Sequence, residues 1–159
     1  MDRKKDIFKI SNGEYIIPHK IEKIYCSFGP ASFVFVFAKS TWNSIVGIAF
    51  LDHAELLAWL KSQKTANFEN LNSNTENLQN ELNEKNSEIG NLVKSELTRI
   101  GRREKLLGFE QVKNWILDLK QPTTENNFLT PTFKLKRNVI QSEKIDALTN
   151  AYLSSQRNN

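Results

Sequence analysis

A cluster of basic residues near the end of the chain is the first feature of the sequence that could act on anions. Lys134, Lys136 and Arg137 lie within the segment Phe128–Arg137. A lysine is a compact point charge on a flexible stem, so a short loop can bring it to a phosphate or a carboxylate. Lys136 and Arg137 are open to two interpretations. They attract a phosphate or a cofactor, or they belong to a solvated basic loop before a helix.

The other residue types that commonly carry chemistry form no such cluster. His19 and His53 have no cysteine, aspartate or glutamate set at metal-ligand spacing, so no metal site is expected. Cys26 falls on an apolar helix face and is interpreted as a core residue. Trp42, Trp59 and Trp115 are interpreted as packing residues rather than base-stacking platforms.

Length and composition indicate one small domain. The chain has 159 residues, 39% hydrophobic and 25% charged, which suits a single core. A net charge of +4 is too mild to demand a nucleic-acid partner, and a single cysteine fits a reducing compartment. Since no apolar run approaches the roughly 18 residues of a membrane span and the N-terminus resembles no secretory signal, we expect a soluble intracellular chain.

Turn and periodicity signals predict a hairpin, a helix and two strands in the first third of the chain. The pair Asn12-Gly13 stands between two short apolar runs, and both residues tolerate the positive φ of a tight hairpin turn. Pro18 suits the first turn of the helix that follows. Two runs rich in β-branched and aromatic residues are predicted to form an antiparallel strand pair: Ser32–Ala38 and Ile45–Leu51.

The composition changes abruptly in the middle of the chain. Nine of the 25 residues from Asn67 to Asn91 are asparagine, which indicates an insertion or a low-complexity elaboration over about residues 65–91. From Leu78 to Ile100, however, apolar residues recur mostly at intervals of seven and four, so part of this region is predicted to be a helix. That helix either lies on its own domain, the simpler interpretation, or pairs with a partner helix as a coiled coil.

The remaining patterns complete a small α+β domain. Val112–Leu119 is predicted to be a strand, residues 120–129 a polar loop and Val139–Ser155 an amphipathic helix. The fold class is therefore expected to be α+β, with an N-terminal β-hairpin and a short mixed β-sheet flanked by helices. The side chains of the last helix that are expected to face inward are Ile140, Ile145, Leu148, Tyr152 and Leu153.

Two segments resemble the C-terminal cap domain of the AMP-forming acyl-CoA synthetases, in the form carried by the long-chain branch. The first, from Asp2 to Glu22, contains DRKKDIFK followed by GEYI, Pro18 and KIE. The second, FLTPTFKLKR, has a Thr-x-Lys after Leu-Thr-Pro where most of the superfamily has Ser-Gly-Lys. LGFEQVK at Leu107–Lys113 also looks like a long-chain segment. The two main segments stand in the family order, and the Asn-rich region departs from the pattern.

This resemblance implies roles for individual residues. Lys134 matches the lysine that stabilises negative charge during adenylate formation. Arg3 matches the arginine that contacts the nucleotide ribose, and Lys5 stands at the hinge position of an interdomain linker, residues 1–6. Gly13 and Glu14 match the hairpin that enters the active site for the thioester step. The remaining candidate contacts of phosphate or CoA are Lys136 and Arg137.

The implied reaction converts ATP, a long-chain fatty acid and CoA to acyl-CoA, AMP and pyrophosphate. The sequence has no Ser/Thr/Gly-rich phosphate loop with a lysine, no Tyr-Gly-x-Thr-Glu segment and no Thr-Gly-Asp. In this family those motifs belong to a large N-terminal domain, which is the expected partner and holds most of the contacts to ATP and Mg²⁺. The chain alone is therefore expected to be inactive, as an excised domain, a gene fragment or a truncated gene product.

Two alternatives come from other functional classes. A stand-alone, non-catalytic interaction module derived from such a domain could bind a partner through its Asn-rich helix. A small nucleic-acid binder is disfavoured, because the aromatic residues do not interleave with the lysines. For the ligase, a location on the cytosolic side is expected, with any membrane attachment residing in segments outside this chain.

Overall fold

Two small sheets and five helices form the part of the chain that the computed structural model describes, residues 6–63, 74–84 and 87–157. The strands are β1 Phe8–Lys9, β2 Tyr15–Ile16, β3 Ala31–Phe37, β4 Ile45–Leu51 and β5 Val112–Asp118. The helices are α1 Pro18–Tyr25, α2 His53–Ser62, α3 Thr75–Asn83, α4 Glu88–Arg103 and α5 Arg137–Arg157, and a short 3₁₀ turn spans Gly108–Glu110. This arrangement confirms the predicted α+β domain with a hairpin and a short mixed sheet flanked by helices.

The N-terminal hairpin depends on its Asn-Gly turn. Phe8 pairs with Ile16 in antiparallel register, and Gly13 takes a φ of +89°, which glycine adopts without strain. The amide of Ser11 donates a hydrogen bond to the carbonyl of Trp42 at 2.8 Å, so the hairpin is tied to the main body. The predicted hairpin is confirmed, and its turn residues are exposed.

The three-stranded sheet has the order β3–β4–β5, in which β3 and β4 are antiparallel and β4 and β5 are parallel. Every residue of the central strand β4 is buried. In β5, the ring of Trp115 packs edge-on against Tyr25 of α1, with 4.8 Å between centroids. The neighbouring Asn114 donates to the carbonyl of Ala151 in α5. Through these two neighbouring residues, β5 contacts both α1 and α5.

The Asn-rich region contributes two capped helices to the described structure. Asn74 caps α3 and Ser87 caps α4, each by accepting from a backbone amide of the first turn. Gln79 of α3 braces the end of β5, since it donates to the Leu117 carbonyl at 2.9 Å and accepts from the Leu119 amide at 2.7 Å. The apolar residues of the predicted helix lie in the core of the domain itself: Leu78, Leu82, Ile89, Val93, Leu97 and Ile100.

This packing confirms the predicted helix and favours its placement on its own domain over a coiled coil. That residues 65–91 are an insertion relative to the family stays a prediction. Residues 64–73 and 85–86 of this region lie outside the described part of the chain.

The closing helix α5 confirms most of the predicted inward face and corrects one position. Four of the five residues expected to face inward are buried or partly buried against the core. Leu153, the fifth, is 45% exposed, so its expected orientation is wrong. It follows Leu148 by five residues, which turns it roughly 140° around the helix. The positions that continue the buried face are Ala151 and Ser155.

Gly47 lies where β4 meets the ring of Trp115 across the parallel pair. A Cβ at Gly47 would lie 2.8 Å from Cζ3 of Trp115 and 3.3 Å from Cγ1 of Val112, and both neighbours are buried. Gly47→Ala should therefore lower the free energy of unfolding by about 1–3 kcal/mol through overpacking, measured by urea denaturation. Gly29→Ala is the matched control, since a Cβ there meets no atom within 4 Å. Equal losses in the two variants would contradict this packing.

Candidate functional site

The segment that carries Lys134 is a tight hairpin that leads directly into α5. The Lys136 amide donates to the Phe128 carbonyl, and the Thr130 amide donates to the Lys134 carbonyl, each at 2.8 Å. An isolated antiparallel bridge lies between these two bonds. The base of this lysine hairpin, residues 128–136, is buried at Phe128, whereas Lys134 is exposed at the opposite end.

The tip of the lysine hairpin is closed by Thr130. Its hydroxyl accepts from the Lys134 amide at 3.1 Å, and its carbonyl accepts from the Phe133 amide at 2.8 Å. Phe133 takes a φ of +63°, so the chain reverses just before Lys134. The backbone on both sides of the lysine is thus held by hydrogen bonds, and the arrangement can present a positive charge to a carboxylate or a phosphate.

Lys136 contributes to the structure of the same hairpin. Its Nζ donates to Oδ1 of Asn127 at 2.5 Å. Asn127 takes a φ of +67°, a conformation that asparagine tolerates better than most residues. The role of Lys136 as a phosphate or CoA contact stays a prediction.

Arg137, the first residue of α5, lies in a partly buried network. Its guanidinium donates from one nitrogen to Oε2 of Glu22 at 2.7 Å and from another to the Val36 carbonyl at 2.9 Å. The same group lies 4.7 Å above the centroid of the Phe35 ring, and the side chain is 17% exposed. These contacts link α5 to α1 and β3. The role of Arg137 as a phosphate or CoA contact stays a prediction.

Glu22 is the partner that sequence reasoning did not single out. Its Oε2 accepts from the Val36 amide at 2.8 Å as well as from Arg137. Burial raises the pKa of the Glu22 carboxyl above its ordinary value of 4.5, and the positive charge of Arg137 opposes that rise. The one signal that could have found it is its place in the KIE segment, because its partner lies 115 residues away in sequence.

Gly13 and Glu14 belong to a different part of the domain from Lys134. The backbone of Ser11 binds that of Trp42, and the Trp42 ring stacks on Tyr152 with 4.3 Å between centroids. Tyr152 follows the first residue of α5 by 15 positions, about 22 Å along the helix. The Asn-Gly turn is therefore tied through Trp42 to the C-terminal half of α5, whereas the lysine hairpin leads into its first residue. Strand β1 lies nearer the start of α5, where Phe8 lines a cavity with Arg137.

Several expected features receive no test from this structure. Arg3 and Lys5 lie outside the described residues, so their nucleotide and hinge roles stay predictions. Over residues 6–63, 74–84 and 87–157, no group of three histidine, cysteine, aspartate or glutamate side chains could hold a metal ion. In the same ranges no helix is both long and apolar enough to cross a membrane.

Burial raises the pKa of the Cys26 thiol to about 11, which makes it a poor nucleophile at neutral pH.

The pair of Glu22 and Arg137 generates a prediction about stability and pH. Arg137→Ala leaves a buried carboxyl without its partner, so the free energy of unfolding at pH 7 should fall by about 3–5 kcal/mol. The raised pKa gives the sign of the pH dependence. Below pH 4.5, the ordinary pKa of the carboxyl, Glu22 is protonated in both the folded and the unfolded state. The loss should therefore shrink as the pH is lowered from 7 towards 4.5.

Urea denaturation of the wild type and the variant at several pH values provides the measurement. Glu22→Gln/Arg137→Ala is the matched control, because the buried group no longer carries a charge. The double variant should recover part of the loss at pH 7 and show little of the pH dependence. A loss that is independent of pH in the single variant would show that the pair contributes by packing alone.

Comparison with known proteins shows which proteins this chain resembles. No protein-family model matches the chain. The chain is 35% identical over 154 residues to peroxisomal long chain acyl-CoA synthetase 6 of Arabidopsis thaliana, which covers 96% of this chain and 20% of that protein. It is 34% identical over 138 residues to human long-chain-fatty-acid–CoA ligase 1, covering 86% of this chain and 18% of the ligase.

Solved structures share the fold at lower sequence identity. The adenylation domain of a carboxylate reductase from Mycobacterium chelonae matches with a TM-score of 0.73 at 18% identity, over 96% of this chain and 20% of that domain. The adenylation domain of the Segniliparus rugosus carboxylic acid reductase, solved with AMP and a carboxylic acid, matches with a TM-score of 0.70 at 20% identity, over 96% of this chain and 20% of that domain. The chain is thus homologous, over nearly its whole length, to a segment of the long-chain acyl-CoA synthetases that makes up about one fifth of the length of each.

Proposed function

We propose that this chain is the C-terminal catalytic cap of a long-chain fatty acid–CoA ligase. The overall reaction is ATP, fatty acid and CoA to acyl-CoA, AMP and pyrophosphate. The observation that carries the proposal is the lysine hairpin, which places an exposed Lys134 at its tip in a chain homologous to these ligases. The chain spans about one fifth of the length of the relatives it matches, so the activity and the substrates are those of the whole ligase.

The first step of the proposed reaction forms an acyl-adenylate. A carboxylate oxygen of the fatty acid attacks the α-phosphorus of ATP, and the bond to pyrophosphate breaks. Negative charge on the attacking and leaving oxygens is stabilised by the ammonium of Lys134, whose backbone the hairpin holds by hydrogen bonds. The loss of one such contact typically slows a reaction by about 10²–10³, or roughly 2.7–4 kcal/mol.

The second step forms the thioester. The thiol of CoA attacks the acyl carbon, and AMP leaves. The Asn-Gly hairpin serves this step, because an exposed glycine lets the backbone approach the pantetheine chain closely; Glu14 follows it in the same turn. Arg3 contacts the ribose and Lys5 is the hinge on which the domain rotates. When bound, Mg²⁺ would neutralise charge on the phosphates, and in this proposal its contacts belong mainly to the large domain.

Lys134 and Gly13 should fail in different half-reactions. In the full-length ligase, Lys134→Ala should slow adenylate formation by about 10²–10³ and leave thioester formation from supplied acyl-adenylate nearly intact. Gly13→Leu should do the reverse: a Cβ at Gly13 meets no atom within 4 Å, so its side chain would project into space that CoA must use. ATP–pyrophosphate exchange and thioester formation, assayed separately, provide the measurement.

Two controls accompany this experiment. Lys120→Ala removes another exposed lysine of the domain and should leave both half-reactions unchanged. Because Gly13 has a positive φ, Gly13→Leu strains the turn, so its circular-dichroism spectrum and melting temperature must first match those of Gly13→Asn, which tolerates that conformation better. Loss of the same half-reaction in both variants would refute the division of labour between the two hairpins.

The isolated chain of 159 residues should show no ATP–pyrophosphate exchange with any fatty acid. The physical reason is that the proposed pockets for ATP and the acyl chain belong to the large domain. Exchange by the purified chain would overturn the assignment of those pockets. The Lys134→Ala variant also distinguishes the catalytic cap from the alternative function, a non-catalytic module. Full adenylation activity in that variant would favour the non-catalytic module.

A further inference from the structure

Phe133, at the tip of the lysine hairpin, has a side chain that the domain itself does not use. It is 70% exposed, the largest exposed fraction among the large hydrophobic residues that the structure describes. It is neither in the core cluster nor among the partly buried residues packed against it. Burial of an aromatic ring is a major source of packing energy, and in this domain Phe133 contributes almost none of it.

The backbone conformation of Phe133 is unusual for a phenylalanine. Its φ of +63° is an outlier for a bulky residue, and such strain is typical of functional positions. Over the described part of the chain, the two other non-glycine residues with positive φ have ordinary reasons. Asn127 is a residue type that tolerates this region. Lys105 follows the C-cap of α4, and its amide donates to the Arg102 carbonyl at 3.0 Å, which is a common arrangement at a helix C-terminus.

The hairpin places Phe133 and Lys134 side by side at its tip. Their Cα atoms are about 3.8 Å apart because they are consecutive, and the Thr130 carbonyl and hydroxyl bind their two amides. A surface that closes on the tip of the hairpin and meets the ammonium therefore comes within reach of the ring. In the proposed function that surface belongs to the large domain, at the edge of the site where the carboxylate meets ATP.

We propose that Phe133 is a docking residue, whose ring packs into an apolar recess of the large domain when the hairpin delivers Lys134 for adenylate formation. The inference rests on the proposed function, because that function supplies the large domain as the occupant. An exposed ring on a rigid turn loses little conformational freedom on docking, and its burial favours the arrangement in which Lys134 reaches the reacting oxygens. Phe133 is thus a positioning residue and touches no reacting atom.

The test replaces the ring while accommodating the backbone. In the full-length ligase, Phe133→Asn should lower kcat for adenylate formation by about 10- to 100-fold, the effect of losing a buried aromatic anchor. The KM values for ATP and fatty acid should stay within about twofold. Thioester formation from supplied acyl-adenylate should be unchanged. The melting temperature of the ligase should not fall, because asparagine tolerates positive φ.

Matched variants give the result its meaning. Phe133→Leu keeps an apolar side chain and should lose less adenylation activity than Phe133→Asn. Leu107→Asn removes another exposed apolar side chain, 56% exposed, and should leave adenylation unchanged. Normal adenylation in Phe133→Asn, together with impaired adenylation in Lys134→Ala, overturns the docking role and leaves the proposed function intact. A raised KM with unchanged kcat also overturns it, since the ring would then contact substrate.

Photo-crosslinking provides a readout that does not depend on turnover. Phe133→p-benzoylphenylalanine keeps an aromatic group at the tip and couples to whatever lies beside it. With ATP and a fatty acid bound, it should crosslink to the large domain of the same molecule, and the yield should fall several-fold once CoA is added. Leu107→p-benzoylphenylalanine should not couple to the large domain. Crosslinks between two molecules, or equal yields with and without CoA, would overturn the inference.

Discussion

The partly buried ion pair between Glu22 and Arg137 is the contact on which the candidate site depends. The two side chains meet at 2.7 Å beside the edge strand β3, and both bind Val36. The carboxylate accepts from its amide, and the guanidinium donates to its carbonyl. These backbone groups are on the open side of an edge strand, where no neighbouring strand pairs with them. The two charged side chains therefore supply the hydrogen bonds that a further strand would make to Val36, and they join α1 and α5 to the sheet.

This pair also determines where Lys134 lies. The lysine hairpin ends at Lys136 and α5 begins at the next residue, so any shift of Arg137 would be transmitted to the hairpin. The hairpin adds its own bonds, from the Lys136 amide to Phe128 and from Lys136 Nζ to Asn127. The exposed lysine is thus carried on backbone that is held from the core outward. A catalytic charge that must arrive from outside a substrate pocket requires such support, because small displacements of a positioned group are expensive in rate.

Helix α5 separates the two chemically interesting turns. The lysine hairpin leads into its first residue, while the Asn-Gly hairpin is attached through Trp42 to Tyr152 near its other end. Both turns are exposed, and in the proposed function the atoms on which they act come from outside this domain. A rigid domain with two separate exposed turns suits the proposed two-step reaction. Rotation about a hinge would present each turn to the substrates once, and the exposed Phe133 ring would favour one of the two orientations.

Much of the fold is readable from local sequence. The Asn12-Gly13 turn was predictable because only a few residue types accept its backbone conformation, and Gly13 has the expected positive φ. The three strands of the larger sheet followed from apolar runs, and the observed bounds of β3, β4 and β5 agree with the predicted ones to within one residue. The candidacy of Lys134 rests on its motif, which is a contiguous string of residues, and its catalytic role stays a prediction.

Tertiary structure alone decided the features that depend on distant contacts. The partner of Arg137 could not be predicted, because Glu22 lies 115 residues away and an arginine beside a basic loop is equally consistent with solvent. Leu153 is exposed because the buried face of α5 continues through Ala151 and Ser155, and only the packed structure shows which face that is. The positive φ of Phe133 arises from the hydrogen bonds that close the hairpin on Thr130. Sequence patterns determine which backbone conformations are locally favourable and which face of a helix or strand is apolar. The pairing of buried charges and the conformation at the tip of the lysine hairpin depend on how separate segments meet in space.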